Sequence, residues 1–584
     1  MPVGSSPLIQ NVHARATRDL GGPWRAIVDP YDSGLLDYRG APQTTEGYFA
    51  DRKAASPSDR VEYDFDRSEP LSVPGDWNSQ RRELFLYEGT VWYRTRLESP
   101  PAPGRRTFLR FGAANERAWV YLDGAIVGEH RGGFTPFDVE VTGALRPGSS
   151  LVVQVDDRRR PEGVPALQTD WWNYGGLTRE VLQVEVPATF IRDYALQLGR
   201  DGHLSGWIQL DGPRPRQEIT VSIPEAGVRA SARTGDDGFA ALELEAELER
   251  WSPARPRLYA VELAAETDRV SDRIGFRTVE ARGTELLLNG EPIFLRGISL
   301  HEQAPLREGR AHGPADARTL LGWARELGAN FVRLAHYPHD EHTVRLADEL
   351  GLLVWAEIPV YWTIDWESPE ALAGARGQLT ELVTRDRNRA SVIIWSVGNE
   401  TPPTEPRLRF LRELVRRARE LDPSRLVSAA LERRELDPLT QVIDDPLGAE
   451  LDVLGCNEYL GWYDGLPDRP DGVRWRTPYR KPLVMTELGA DALAGLHGDP
   501  FARWTEEYQA AVYQHQLQML EGIPFLAGMS PWILADFRSP RRALPGIQDG
   551  WNRKGLVSER GERKLAFGIL QRHYRALAGR SRAG

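Results

Sequence analysis

From about residue 281 onward, short apolar runs alternate with helical patterns, and this alternation constrains the fold more than any other feature. The runs are IFLRGISL, FVRLAHYP, LLVWAEIP, VIIWSVGNE, RLVSAAL, VLGCNEY, PLVMTELGA and GMSPWILADF. They are short and near-continuously apolar, as strands buried on both faces are. Between them lie segments such as ARTLLGWARELG, EHTVRLADELG and RLRFLRELVRRARELD, whose apolar residues recur at helical spacing. Eight strands with intervening helices predict a (β/α)8 TIM barrel over residues 281–584. Such barrels react at the C-terminal ends of their strands, which is where chemistry should be sought.

Residues 1–184 have another rhythm. RVEYDF, VWYRTRLE, RTFLRFGA, RAWVYLDG, SLVVQVDD and EVLQVEV are separated by Gly, Pro and Asp clusters and predict a jelly-roll β-sandwich. Asp123-Gly124, in YLDGAIVGEH, marks a hairpin turn. Residues 185–280 continue in this style through TFIRDYALQL, SGWIQLDG, EITVSIP, FAALELEAEL and RLYAVELAAE, predicting an immunoglobulin-like β-sandwich. The expected chain is therefore multidomain, with two β-sandwiches followed by a barrel.

A net charge of −11 argues against nucleic acid as a partner, because phosphate binding wants a basic face. Cys456 is the single cysteine, so no intrachain disulfide can form, which fits a reducing compartment. The N-terminus lacks the apolar run of a signal peptide, and no stretch approaches the ~18 apolar residues of a membrane span. A cytoplasmic location with no membrane partner is expected. No CxxC, HExxH or dense His/Asp cluster occurs, so neither a metal nor another cofactor is expected.

Two glutamates stand at strand ends: Glu400 in IIWSVGNET and Glu487 in VMTELGA. A carboxylate at the end of a buried strand costs desolvation energy and needs partners or a task. Glycoside hydrolysis supplies one: a retaining enzyme uses a carboxyl as acid/base and a second as nucleophile, about 5–5.5 Å apart. Asn399, beside Glu400, can donate to a sugar hydroxyl or merely cap the loop. His336, at the end of the second strand, is expected to face the pocket; His301, at the end of the first, reads equally as core. Near the C-terminus, Gly550 and Gly555 bracket a loop, DGWNRKGLV, in which Lys554 could face solvent or an anion.

The domain order, with GDWN, TDWWNYGGLTREV, LRGISLHE, RLAHYPHDE, WSVGNE and VMTELGA, resembles glycoside hydrolase family 2 over essentially the whole chain. The resemblance implies a retaining enzyme with Glu400 as acid/base and Glu487 as nucleophile. Within the family the chain is similar to the β-glucuronidases, through NEYLGWYDG, TELGADALAG, WTEEYQ and, most specifically, Asn552-Arg553-Lys554. That likeness implies Asn552 and Lys554 as the grip on a sugar carboxylate, with Tyr459, Tyr463, Trp532 and Asp170 as pocket residues. The implied substrate is a small-molecule or oligosaccharide β-glucuronide, and the implied assembly a homo-oligomer, dimer or tetramer.

Two departures stand out. Glu458 occupies a position where familiar members carry Arg, and the longer segment DFRSPRRALPGIQDG brings Arg538, Arg541 and Arg542 toward the carboxylate pocket. Arg553 is read as outward-facing. The long insertion that covers small aglycones in some gut bacterial members is not evident between residues 302 and 316. Rival expectations are a β-galacturonidase or β-galactosidase of the same family, and a non-catalytic carbohydrate-binding protein.

Overall fold

The computed structural model describes residues 7–98, 102–199 and 201–583. In the first unit the alternating runs become two packed sheets. One has four strands, ordered Ala16–Asp19, Val181–Pro187, Arg105–Phe111, Phe137–Glu140. The other has six: Pro70–Val73, Gly22–Asp29, Thr90–Leu97, Ser149–Asp156, Arg117–Leu122 and Ala125–Arg131. Trp24, Val91, Leu109, Phe111, Val120, Leu151 and Val153 fill the space between the sheets. The hairpin at Asp123-Gly124 forms: both residues take positive φ (49° and 84°), as a two-residue primed turn requires, and Leu122 pairs with Ala125.

The second unit is a smaller sandwich. Phe190–Leu198, Leu204–Asp211 and Phe239–Leu244 form one sheet. Val228–Arg233, Glu218–Ile223, Tyr259–Ala265 and Arg269–Ile274 form the other, with Tyr194, Ile208, Val221 and Val261 in the core.

The apolar runs then close into a parallel barrel of β1 (Leu295–Leu300), β2 (Phe331–Leu334), β3 (Leu353–Glu357), β4 (Val392–Asn399), β5 (Leu426–Leu431), β6 (Leu454–Asn457), β7 (Leu483–Glu487) and β8 (Leu526–Met529). Closure comes from Leu295 pairing with Gly528 and Arg296 with Met529. The helices around it are α1 (Gly313–Leu327), α2 (Glu341–Leu350), α3 (Pro369–Asp386), α4 (Glu405–Leu421), α5 (Glu506–Glu521) and α6 (Leu565–Ala583). In α4 the Thr404 hydroxyl caps the first turn, Glu405 favours the positive end of the helix, and Leu408, Leu411, Leu414, Val415 and Ala418 bury one stripe.

The expected alternation fails twice: among the described residues no α-helix follows β5 or β6. A small sheet of Arg434–Asp437, Thr440–Val442 and Arg474–Arg476 takes their place, with a 3-10 turn at Pro446–Ala449. The intervening sequence, with WYDGLPDRPDGVRW, is too rich in Pro, Gly and Asp to sustain a helical stripe.

A three-stranded sheet, Val279–Arg282, Glu285–Leu288 and Glu291–Pro292, seals the N-terminal end of the barrel. There Val279, Leu286 and Leu288 pack on Leu295, Phe331 and Leu353, the first residues of their strands. The first sandwich leans over the opposite end, where its Phe134 and Trp171 join Tyr337, Tyr361 and Trp532 in one apolar cluster. Buried Arg179 of that sandwich donates to Glu302, just past β1, at 2.9 Å. Among the described residues no helix is long and apolar enough to cross a membrane.

Candidate active site

The two strand-end glutamates meet very different neighbours. Glu400 follows the last residue of β4 with a left-handed backbone (φ 48°), an uncommon conformation for a non-glycine residue. Its Oε1 accepts from Asn457 Nδ2 (2.9 Å) and its Oε2 from Trp362 Nε1 (2.7 Å), both neutral donors. Enclosure of this carboxyl, and after that the charge of Glu487, raises its pKa above the ordinary glutamate range. Glu487, the last residue of β7, instead forms an ion pair with Arg333, whose Nη1 lies 2.8 Å from Oε1. Tyr459 donates its hydroxyl to the other oxygen at 2.6 Å. Burial, then the adjoining Glu487, pushes the Tyr459 phenol well up, so it stays a donor.

Around this pair the pocket is set by a hydrogen-bond lattice. Arg333, fully buried in β2, reaches Glu357 at 3.0 Å and Asn399 Oδ1 at 2.7 Å. Asn457 Nδ2 also donates to Asn399 Oδ1 (3.2 Å), whereas Asn399 Nδ2 is buried without a partner. His336 Nδ1 lies 2.8 Å from Glu357 Oε1, which leaves Nε2 3.7 Å from Glu487. The His336 ring stacks on Trp532, with centroids 4.8 Å apart. His301 joins the same aromatic cluster and is kept neutral, its pKa lowered by burial. Asn399, His336, Tyr459 and Trp532 are thus brought together with both glutamates.

The loop after β8 completes the wall. Phe537–Arg538 pairs with Trp551–Asn552, which turns Asn552 and Lys554 inward. Both are buried, at 0% and 1% exposure, which removes the solvated-charge reading of this lysine. Lys554 Nζ lies 2.6 Å from Asp491 Oδ2 and 2.9 Å from the Tyr463 hydroxyl. Burial works against its charge, but Asp491 and then Tyr463 outweigh that and raise its pKa. An ammonium has three donors, so one remains beyond these two partners. Tyr463 itself is 59% exposed and sits at the rim.

Asp170 arrives from the first sandwich. It accepts from Ser539 Oγ (2.6 Å), Asn552 Nδ2 (3.1 Å) and the fork of Arg542, whose Nε lies at 3.1 Å. The three arginines of this segment therefore separate. Arg542 also contacts the Tyr463 hydroxyl (3.2 Å). Arg541 binds Gln168 and covers the ring of Trp362, the residue that donates to Glu400. Arg538 is drawn away to Glu308 at 2.9 Å. Arg553 is not outward-facing: it is 5% exposed and paired with half-buried Glu559 (2.6 Å) and with Asp536 (3.3 Å), a buried carboxylate that needs a cation.

Sequence reasoning missed Arg333, Glu357, Trp362, Asn457 and Asp491. Arg333 left a signal, since a guanidinium inside the apolar run FVRL requires buried carboxylates. Asn457 and Asp491 lay inside the quoted NEYLGWY and TELGAD stretches. Glu357 left the same signal as the two glutamates, a carboxyl ending the apolar run LLVWAE, and it is taken up by Arg333 and His336. Trp362 left none, its role arising only when the segment after β3 reaches Glu400.

Two parts of the chain match known domains: residues 279–575 the glycosyl hydrolases family 2 TIM barrel domain, and residues 18–187 the sugar binding domain of the same family. A β-glucuronidase of Paenibacillus borealis is 29% identical over 95% of this chain and 96% of its own. One of Rattus norvegicus is 30% identical over 88% of this chain and 86% of its own. The solved structure of an uncultured Clostridium sp. β-glucuronidase superposes with a TM-score of 0.84 at 25% identity, over 98% of this chain and 100% of that one. With a barrel and a sugar binding domain of this type meeting over a pair of strand-end glutamates, the chain belongs to glycoside hydrolase family 2 and is a glycoside hydrolase.

Proposed function

We propose that this enzyme is a retaining exo-β-glucuronidase that hydrolyses β-D-glucuronides by double displacement. Glu400, carrying its proton above the usual range, delivers it to the glycosidic oxygen while Glu487 attacks C1. Water then opens the glycosyl-enzyme with Glu400 acting as base. Tyr459 holds the nucleophile in place through its 2.6 Å hydrogen bond. Asn399 turns its unpartnered Nδ2 toward the 2-hydroxyl, and Trp532 and His336 form a flat wall for the ring.

The observation that carries the substrate choice is Lys554, a buried ammonium with the Asn552 amide two residues away, in the same mouth as the carboxylate pair. A glucuronide differs from a glucoside by a carboxylate at C6, and charge-assisted hydrogen bonds are what separate the two. Arg542 adds a second cation on that side, locked on Asp170. The names of the relatives support the same substrate class. The reading includes a cytoplasmic enzyme assembled as a dimer or tetramer, which light scattering on the purified protein tests.

Hydrolysis of nitrophenyl β-glucuronide, β-galacturonide and β-galactoside tests the proposal. The glucuronide should give the highest kcat/KM. A higher value for the galactoside would overturn the role of Lys554, and a higher value for the galacturonide would reassign the sugar while keeping the carboxylate grip.

A further inference from the structure

Where the first sandwich meets the barrel, three remote parts of the chain converge. His13 sits in a one-turn 3-10 helix (Val12–Ala14), Glu180 directly precedes the strand Val181–Pro187, and His342 is the second residue of α2. Their ligand atoms all lie within 4.8 Å of one another. One carboxylate stands between two imidazoles: His13 Nε2 is 3.5 Å from Glu180 Oε1, and His342 Nε2 is 3.7 Å from Glu180 Oε2. Glu341 Oε2 lies 3.8 Å from the same His13 nitrogen.

These spacings are long for hydrogen bonds, and His13 Nε2 is enclosed with no hydrogen-bond partner. They are close to what a metal asks for: bonds of about 2.0–2.2 Å place the edges of a tetrahedral site at about 3.3–3.6 Å. The His13 turn is held independently of any ligand. Asn11 Nδ2 donates to Tyr194 (3.1 Å) and to the Ser271 carbonyl (3.0 Å), and Asn11 Oδ1 accepts from Arg345 (2.9 Å). Arg345 also fixes Glu341 at 2.7 Å, so that only the second oxygen of Glu341 faces the cluster.

We propose that His13, Glu180 and His342 bind a divalent transition ion of the Zn2+ class, with Glu341 or water in the fourth position. Two imidazoles and a carboxylate suit such an ion better than Mg2+ or Ca2+, which prefer oxygen ligands alone. The site shares no residue with the catalytic mouth, and its role is to clip the N-terminal segment and the first sandwich to α2.

The test is calorimetric titration of chelator-treated full-length protein with ZnCl2 and, separately, MgCl2. Wild type should take up zinc at a site that is weakened roughly tenfold or more in His13→Asn, His342→Asn and Glu180→Gln. Zinc should raise the Tm of wild type and not of the variants. Unchanged glycosidase kcat/KM in the zinc-free variants would show that they are folded. Zinc uptake with the same stoichiometry and affinity in the His13→Asn/His342→Asn double variant, or no uptake by wild type, would overturn the proposal.

Discussion

Glu400 and Glu487 are the same side chain, and their neighbours make them chemically different. Burial and then the charge of Glu487 favour a proton on Glu400 and outweigh its two neutral donors, whereas Glu487 faces the guanidinium of Arg333. In the proposed mechanism this difference fixes which carboxyl is acid and which is nucleophile. Glu487→Gln should therefore lower kcat roughly a thousandfold or more while leaving the Tm near wild type; retained turnover would remove Glu487 as the nucleophile. Because the acid must be protonated, kcat/KM should fall as pH rises through a Glu400 pKa lying above the usual carboxylate range. Glu400→Gln should abolish that limb of the profile.

At the scale of elements, the loop after β6 carries a second buried acid. Glu458 is 1% exposed; Leu460 donates to one of its oxygens at 2.7 Å and the other has no partner. Burial pushes its pKa up to about 8. The folded loop thus keeps a proton that the unfolded chain gives up near pH 4.5. Stability from this group is full below that pH and is lost as pH rises toward 8. Glu458→Gln mimics the protonated form, so urea unfolding should show it more stable than wild type by on the order of 4 kcal/mol at pH 8, and nearly equal to it at about pH 4. An equal gain at both pH values would show that Glu458 does not titrate. Elements also divided what could be read from sequence. The eight barrel strands were legible because each is a bounded apolar run, and so were the glutamates at their ends. The region after β5 and β6 was not, since its Pro- and Gly-rich segments follow no period and take shape by packing on the barrel. Arg553 was misread because nothing in the sequence announces that Asp536, at the end of the preceding segment, folds against it alongside Glu559.

At the scale of the whole molecule, the mouth belongs to two domains. Asp170 and Trp171 come from the first sandwich, yet they touch Arg542, Asn552, His336 and Tyr361 of the barrel. Such contacts leave no local pattern, which is why the Arg542–Asp170 fork was invisible in the sequence. The junction is held by Glu302, which accepts from Arg179 (2.9 Å) of the sandwich and from Arg310 (2.8 Å) of the barrel. Burial opposes its charge, but the two guanidiniums outweigh that and hold the carboxyl far below its ordinary range. Glu302→Gln would leave two buried cations short of a counter-charge and should cost on the order of 3–5 kcal/mol in equilibrium unfolding; a loss below ~1 kcal/mol would show that the junction does not depend on this pair. The proposed cleavage of uronides depends on the buried ammonium of the loop after β8. It is tested most directly by kcat/KM for nitrophenyl β-glucuronide and β-glucoside with wild type and Lys554→Ala. The account predicts a loss of roughly 30- to 1,000-fold on the glucuronide, from about 2–4 kcal/mol of unpaired carboxylate, and little change on the glucoside. An equal loss on both sugars, or none on the glucuronide, would contradict it.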